Sequence, residues 1–455
     1  VFSKTSFDFE TIQLLSERLD RPIELNRIVS DIEIFEHLEK PYLTARMLLI
    51  DDSNLYQAAD IVGSERILIT IKTADEGSRS ISKTFFIDSV EKQQKIQNNA
   101  TTIAFHLVED IFYESSLQNV NRYYSGKPSD IIKKISNQYF QKTIDQDGDD
   151  TQFVELIVPN LHPIDAMQWI RSRACTNRGY PFYLYSTLVG DSLKFEDLGT
   201  MLTKTALNAG NTPNFTASSN RTQSTMNIHV ARRAIENLEM ESQENLLDVI
   251  RSGLISSDYE FVDTLTENTR SFSYDIEKDL YAKLKLDGIL SDKQTEPAIS
   301  FNEKIKDKSI NQYKSTKSTY IGGSMAYRDV DADNDQPDPL KYVQWNNSYN
   351  ETKSGAEYKL RVIKSSMDTM LKKNPLSINL NGIEFLYGEK HSTIGNNIEV
   401  TIPNTQVHRD ADREDKKKSG KYLIYSVRHQ FSKTVDKYQV TMNCMKIGNL
   451  KGNTQ

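Results

Sequence analysis

The stretch SGKYLIYSVRHQF, Ser419 to Phe431, restricts the possible folds more than any other part of the chain. Leu423, Tyr425, Val427, His429 and Phe431 fall on one side of an extended backbone, and Tyr422, Ile424, Ser426, Arg428 and Gln430 on the other. Period-two alternation of this length cannot present one apolar stripe as a helix, so the chain must build a sheet around it. A Ser-Gly turn precedes the run, and YQVTMNC, Tyr438 to Cys444, follows it as a second alternating segment. Together they read as a long β-hairpin with a histidine on its apolar side. The expectation for His429 is a wall histidine rather than a catalytic one.

The N-terminal part repeats this strand signal. SDIEIFEHL and LTARMLLID are separated by EKPY, and RILITIK, SISKTFFID and TTIAFHLVED follow, with NLYQAAD as a short helix. Leu43 to Ile50 and Ile67 to Ile71 read as strands of one small barrel or sandwich. The period changes after Asp110. KPSDIIKKISNQYF places Ile131, Ile132, Ile135 and Tyr139 at helical spacing behind Pro128. LHPIDAMQWIRSRACTNRG begins a second helix at Pro163, with Gly179 expected to stop it. YPFYLYSTLVGDSLKFEDL then reads as a hairpin closed over Gly190 and Asp191. Residues 116–205 are thus α+β. ENLLDVIRSG reads as a helix ended by Gly253, MNIHVARRAIENL, DYEFVDTL and TRSFSYDI as strands, and 276–352 as a weakly patterned insertion with long loops. GAEYKLRVIKSSMDTMLKK is a helix over 355–373, and strands return after Pro375.

The residue types that carry chemistry are present without the spacing that chemistry needs. His37, His106, His162, His229, His391, His408 and His429 include no helical zinc pair. Cys175 and Cys444 are too far apart for a CxxC site, which fits a chain made in a reducing cytoplasm. In DQDGDD, Asp145 to Asp150, aligning Gly148 with the calcium-loop glycine puts Thr143 and Val154 at the first and last ligand positions. Neither is a carboxylate, so a solvated loop is expected there, as for DVDADNDQPD, Asp329 to Asp338. No phosphate-binding glycine loop or nucleophile elbow occurs; YIGGSM is a lone glycine pair. No catalytic, cofactor-binding or metal-binding residue is nominated, and the chain is read as a non-enzyme.

Composition removes further classes. With 56 Lys and Arg against 63 Asp and Glu, the net charge is −7, which does not fit a dedicated nucleic-acid binder. No apolar run approaches the roughly 18 residues of a membrane span, and the N-terminal VFSKTSFDFETIQ has no signal-peptide pattern. Hydrophobic residues make up 37% of the chain, so much of it must face water or partners.

Three segments, in order, resemble the baseplate central hub protein of T-even-type contractile-tailed bacteriophages. They are FHLVEDIFYESSLQNVNRYYSGKPSDIIKKI, LHPIDAMQWIRSRACTNRGYPFYLYSTLVGDSLKFEDLGTML, and NIEVTIPN with SGKYLIYSVRHQFSKTVDKYQVTMNCMK. The likeness covers about 20–205 and 375–450, and 276–374 has no counterpart. It implies a β-rich α+β chain with two tail-tube-like β-barrel domains and inserted α+β domains, forming a pseudo-sixfold ring as a homotrimer. The implied division is 1–115 for the first barrel, 116–205 for the α+β domain, 206–275 and 375–455 for the second barrel, and 276–374 for the insertion. The implied partners are the central spike, the tail tube and tube-initiator proteins and the baseplate wedge proteins. Phage DNA would pass through the lumen without specific binding, and the location would be the virion tail baseplate, with no membrane insertion. Three other readings stay open: the hub of a related contractile injection system, a cell-wall hydrolase module held within 276–352, and a host-receptor binder that uses the exposed loops of the insertion.

Overall fold

The computed structural model describes residues 7–52, 55, 59–73, 80–97, 100–151, 153–207, 215–216, 235–240, 246–263, 269–290, 296–297, 301–321, 356–373, 375–382, 393–402 and 415–449. The expected helix NLYQAAD, the acidic run 329–338, His229, His391 and His408 lie outside the described residues, apart from Leu55 and Ala59 to Asp60 of the first.

Strands β1 (Phe7–Leu15), β2 (Ile23–Glu24), β3 (Val29–His37), β4 (Thr44–Asp51), β5 (Arg66–Thr73), β6 (Ser80–Gln97) and β7 (Ala100–Glu109) come first. They are the segments whose apolar residues alternate, with Ile32 and Ile34 on β3, Met47 and Leu49 on β4, and Ile67, Ile69 and Ile71 on β5 buried in one core. Residues 25–29 close this unit on itself. Leu25 N–H donates to Ile12 O at 2.8 Å and Ile50 N–H to Ile28 O at 2.8 Å, while Asn26 fills the bulge in β1, donating to Phe9 O and accepting from Ile12 N–H.

The α+β part follows: α1 (Asp110–Ser116), β8 (Tyr123–Gly126), α2 (Pro128–Tyr139), β9 (Ile144–Asp147), β10 (Val154–Ile157), α3 (Pro163–Arg171), β11 (Phe182–Tyr185), β12 (Leu193–Asp197) and α4 (Leu198–Thr203). Ile131, Ile132 and Ile135 of α2 and Met167 and Ile170 of α3 form a second core. The FYLY strand β11 is buried on both sides. Phe182 and Leu184 enter the second core, and Tyr183 and Tyr185 the first. Helix α3 ends at Arg171, earlier than Gly179 predicts, through turn bonds from Ser172, Arg173 and Ala174 N–H. Gly179, at φ +86°, instead makes a tight turn against α7 (Ala356–Leu371), where a Cβ would meet Ile363 at 2.9 Å.

The acidic run Asp145 to Asp150 is not a solvated loop throughout. Asp145 to Asp147 lie on β9, Asp145 pairs with Lys194 at 2.7 Å, and Asp149 pairs with Lys127 at 2.9 Å. Asp150 is fully buried and caps α2 from a distance, accepting from Ser129 N–H at 2.8 Å and Ser129 Oγ–H at 2.6 Å. Lys127, at the N-cap, supplies no side-chain cap of its own. Asp150→Ala is therefore expected to lower stability by about 1–2 kcal/mol, read as a lower urea midpoint, with Asp150→Asn losing less.

Strands β13 (Phe215–Thr216), β14 (Ile235–Met240), helix α5 (Leu246–Arg251), β15 (Ser256–Asp263) and β16 (Thr269–Asp275) precede the segment expected to be loops. That segment holds regular structure over much of 277–321: a π-helical turn (Glu277–Tyr281), α6 (Ala282–Leu286), β17 (Glu296–Pro297), β18 (Lys304–Ile305), β19 (Lys308–Ser309) and β20 (Ser315–Ile321). Strand β20 runs parallel to β15. Its pattern is faint because STKSTYI has few apolar residues, and its ladder partner lies far away in sequence. Helix α7 buries Ile363, Met367, Met370 and Leu371 centrally, as its helical stripe predicts. Its Lys364 Nζ caps the end of α3 by donating to Ser172 O and to Ala174 O.

Strands β21 (Leu376–Asn381), β22 (Asn397–Thr401), β23 (Gly420–Ser432), β24 (Lys437–Met445) and β25 (Gly448–Asn449) end the described chain. The alternation of β23 holds from Tyr425 to Phe431, but Tyr422, Leu423, Ile424 and Tyr425 are all buried. A register shift between Ile424 and Ser426 and the pairing of β22 with Tyr422 and Leu423 bring cover to both faces there. Strand β23 also pairs antiparallel with β3, from Ser426 opposite His37 to Ser432 opposite Asp31. This ladder makes a single 13-stranded sheet whose main path runs β14-β21-β24-β23-β3-β4-β7-β6-β5-β1-β2.

Candidate functional site: the two faces of the β3–β23 seam

Side chains opposite one another across a ladder share a face. The registers therefore carry one row straight across the sheet: Asn381, Gln439, Gln430, Glu33, Arg46, His106 and Ser89. Every member is polar. A second row, Asn379, Thr441, Arg428, Phe35 and Thr44, runs beside it. The named cations on this face have carboxylate partners. Arg428 pairs with Glu33, Arg46 with Glu91 at 2.8 Å, and Lys437 with Glu236 at 2.7 Å. His106 Nε2 lies 3.5 Å from the same Glu91. Register shifts in β6 on either side of Ser89 and Val90 bring Glu91 within reach of both.

The opposite face of the same strands is buried and carries the charged group that sequence reasoning missed. Glu36 lies in phase with Ile32 and Ile34 on β3, so a carboxylate occupies an inward position. It meets His429, inward on β23. Glu36 Oε2 accepts from His429 Nε2–H at 2.7 Å, and Glu36 Oε1 accepts from Leu188 N–H at 2.6 Å. With Nε2 protonated, His429 Nδ1 accepts from the Tyr438 hydroxyl at 2.8 Å. Glu36 and His429 side chains are each 1% exposed, so the cluster is closed to substrate and works as an internal clasp joining β3, β23, β24 and the β11–β12 loop. Burial pushes the Tyr438 hydroxyl well up from its ordinary range, and the Glu36 charge adds to it. The legible signal was a carboxylate and a histidine, each on the apolar phase of its strand.

His37 and His162 make local contacts. His37 packs edge-on to Tyr425; burial lowers its pKa, and Lys40 and Lys372 act in the same direction against Glu39. His162 sits at the N-cap of α3 with Nδ1 2.8 Å from Gln118 O. Cys175 and Cys444 are both buried. Among the described residues no group of His, Cys, Asp and Glu is arranged to hold a metal ion, and no helix is long and apolar enough to cross a membrane.

A cleft of about 720 Å³ opens beside the polar side of β9 and β12, lined by Asp145, Asp147, Tyr185, Lys194, Glu196 and Lys204 among others. Its charges are largely paired internally. Glu196 holds Lys204 at 2.5 Å and accepts from Tyr185 at 2.8 Å, while burial raises its pKa against the opposing pull of Lys204.

No protein-family model matches the chain, and no curated protein matches it in sequence. Among solved structures, the 43 kDa tail protein of prophage MuSo2 from Shewanella oneidensis aligns at 11% identity with a TM-score of 0.50, over 97% of this chain and 100% of that one. A tail protein from Neisseria meningitidis MC58 aligns at 12% identity and a TM-score of 0.47, over 96% of each chain. The E. coli c3393 protein aligns at 9% identity and a TM-score of 0.42, over 96% of this chain and 79% of its own. It is described as a component of the type VI secretion system with structural similarity to T4 bacteriophage tail proteins gp27 and gp5. The chain therefore has a β-rich α+β fold, shared over nearly its whole length with the prophage MuSo2 tail protein.

Proposed function

We propose that this chain is a structural tail protein of a contractile-tailed phage, the central hub of the baseplate. In this reading three copies close into a ring that joins a sixfold tail tube to a threefold spike. The first tube-like unit is 1–115, the second is built from 206–275 and 375–455, the α+β unit is 116–205, and 276–374 is an insertion. Tube, tube-initiator, spike and wedge proteins are its partners, and the chain has no catalytic role.

The observation that carries this reading is the two-faced sheet. One face is sealed against the core, while the other is an unbroken polar row whose named cations are already paired. Such a face, turned toward a lumen, offers DNA few free cations to replace its counterions, so a duplex slides instead of sticking. A closed ring of threefold symmetry also limits growth to one assembly. The description of the MuSo2 relative as a tail protein supports the same role.

Light scattering on the purified protein, alone and with its spike partner, tests it. The expected species is three times the 52.1 kDa chain mass in at least one of the two conditions. A monomer in both would overturn the ring.

A further inference from the structure

Lys446 follows β24 and is 1% exposed. No carboxylate forms an ion pair with it among the described residues. Its Nζ donates to Lys417 O and, at 3.3 Å, to Ser419 O, and it lies 5.0 Å from the centre of the Tyr422 ring. These carbonyls belong to one turn. Ser419 N–H and Lys418 N–H donate back to Asp415 O at 2.8 and 3.2 Å, as in a single helical turn, so the carbonyls that follow need partners from elsewhere. Lys446 serves two of them, and the Tyr422 hydroxyl serves Lys418 O. The turn is thus fastened from inside by a buried ammonium.

That choice of fastener has a cost. An ammonium removed from water without a carboxylate is disfavoured relative to its neutral form. Any opening of the turn that returns Lys446 to water lets it recover an ordinary affinity for the proton. Among the described residues, Asp415 is the charged group that favours the ammonium, and it is also engaged by Lys417 and Lys418 N–H and by Lys418 Nζ at 3.6 Å. Among the described residues, the other titratable groups on the turn and on the strand ends that flank it are Lys416, Lys417 and Lys418 on the turn, Lys421 and Tyr422 on β23, Cys444 on β24, and Glu399 of β22, which lies opposite Lys421.

We propose that Lys446 makes the turn 415–419 a proton-biased release, opened more readily when the lysine is charged and locked when it is neutral. The sign follows from linkage. Burial lowers the pKa of Lys446 in the closed turn to about 8, from 10.5 when free. Between these values the open state binds more protons, so the closed state gains stability as pH rises. At neutral pH the lysine is charged and buried, and the turn that launches β23 is held under tension. This device stands independently of the hub assignment.

Hydrogen exchange of the full-length protein tests it, following peptides that cover 415–424 and normalising to intrinsic exchange rates. Protection is expected to rise about tenfold or more between roughly pH 7 and pH 9.5. In Lys446→Met, whose side chain cannot titrate, the profile is expected to be flat. A flat wild-type profile, or the same rise in the Met variant, overturns the proposal. If the Met variant does not fold, the 13Cε shift of Lys446 in the wild type decides. A midpoint near 8 supports the device, and one at the free value of 10.5 overturns it.

Discussion

Replacing Glu36 with leucine is expected to lower stability by about 3–5 kcal/mol, the cost of removing one partner from a buried, hydrogen-bonded pair. Three groups lose by it. Leu188 N–H is left without its acceptor, His429 Nε2–H points into an apolar core, and Tyr438 remains tied to a ring that no longer has an anchor. Glu36→Gln separates charge from geometry. Its carbonyl oxygen still accepts from Leu188 N–H or from His429, but not from both through two oxygens, so a loss of about 1–3 kcal/mol is expected. Urea unfolding checks both variants. A change below about 1 kcal/mol for Glu36→Leu would mean that the clasp carries no stability and that the seam is held by the ladder alone.

Gly382→Ala is the second substitution with a large expected effect. Gly382 follows β21 and donates its N–H to Tyr438 O at 3.1 Å. An added Cβ would lie 2.6 Å from Tyr438 Cδ1 and closer still to Cε1 and Cζ. The ring cannot step aside. It stacks on Phe431 with centroids 4.4 Å apart, and its hydroxyl holds His429 at 2.8 Å. Overpacking of this kind costs about 1–3 kcal/mol on its own. Here the displaced ring also disturbs the Glu36–His429 clasp, which puts the expectation at the upper end of that range. A double-mutant cycle isolates the cause. In a Tyr438→Ala background, already destabilised by its cavity, adding Gly382→Ala is expected to cost little further. Additive losses would place the strain elsewhere than on the Tyr438 ring.

Both variants act on the same small volume, and the sequence disclosed that volume unevenly. The hairpin of β23 and β24 was legible because burying one face of an extended chain leaves a period of two. The α2, α3 and α7 helices were legible because a stripe at 3.6 residues leaves its own mark. A glycine after a helical run looks like a cap, so the sequence predicts the stop of α3 at Gly179. That glycine instead answers the close approach of Ile363 on α7, a contact that no local pattern records. Asp150 looks like part of a solvated acidic loop for the same reason, since its partner at Ser129 lies on a helix 21 residues earlier. In 277–321 the signal was weak because short strands such as β20, with few apolar residues, acquire their order from the ladder they join.

The sequence by itself determined most of the longer strands and helices outside 277–321 and which side of those strands is apolar. It also placed His429 in a wall. Tertiary structure alone decided what that wall is joined to. Glu36 and His429 lie 393 residues apart, and each, taken alone, is a titratable side chain on the wrong side of its strand. Their meeting depends on β3 and β23 pairing in one register, and a shift of one residue would turn both outward. Period encodes the face of a strand, because burial acts on each residue where it stands. It cannot encode the neighbour, because that choice rests on a ladder between distant segments, and the ladder exists only once the chain has folded.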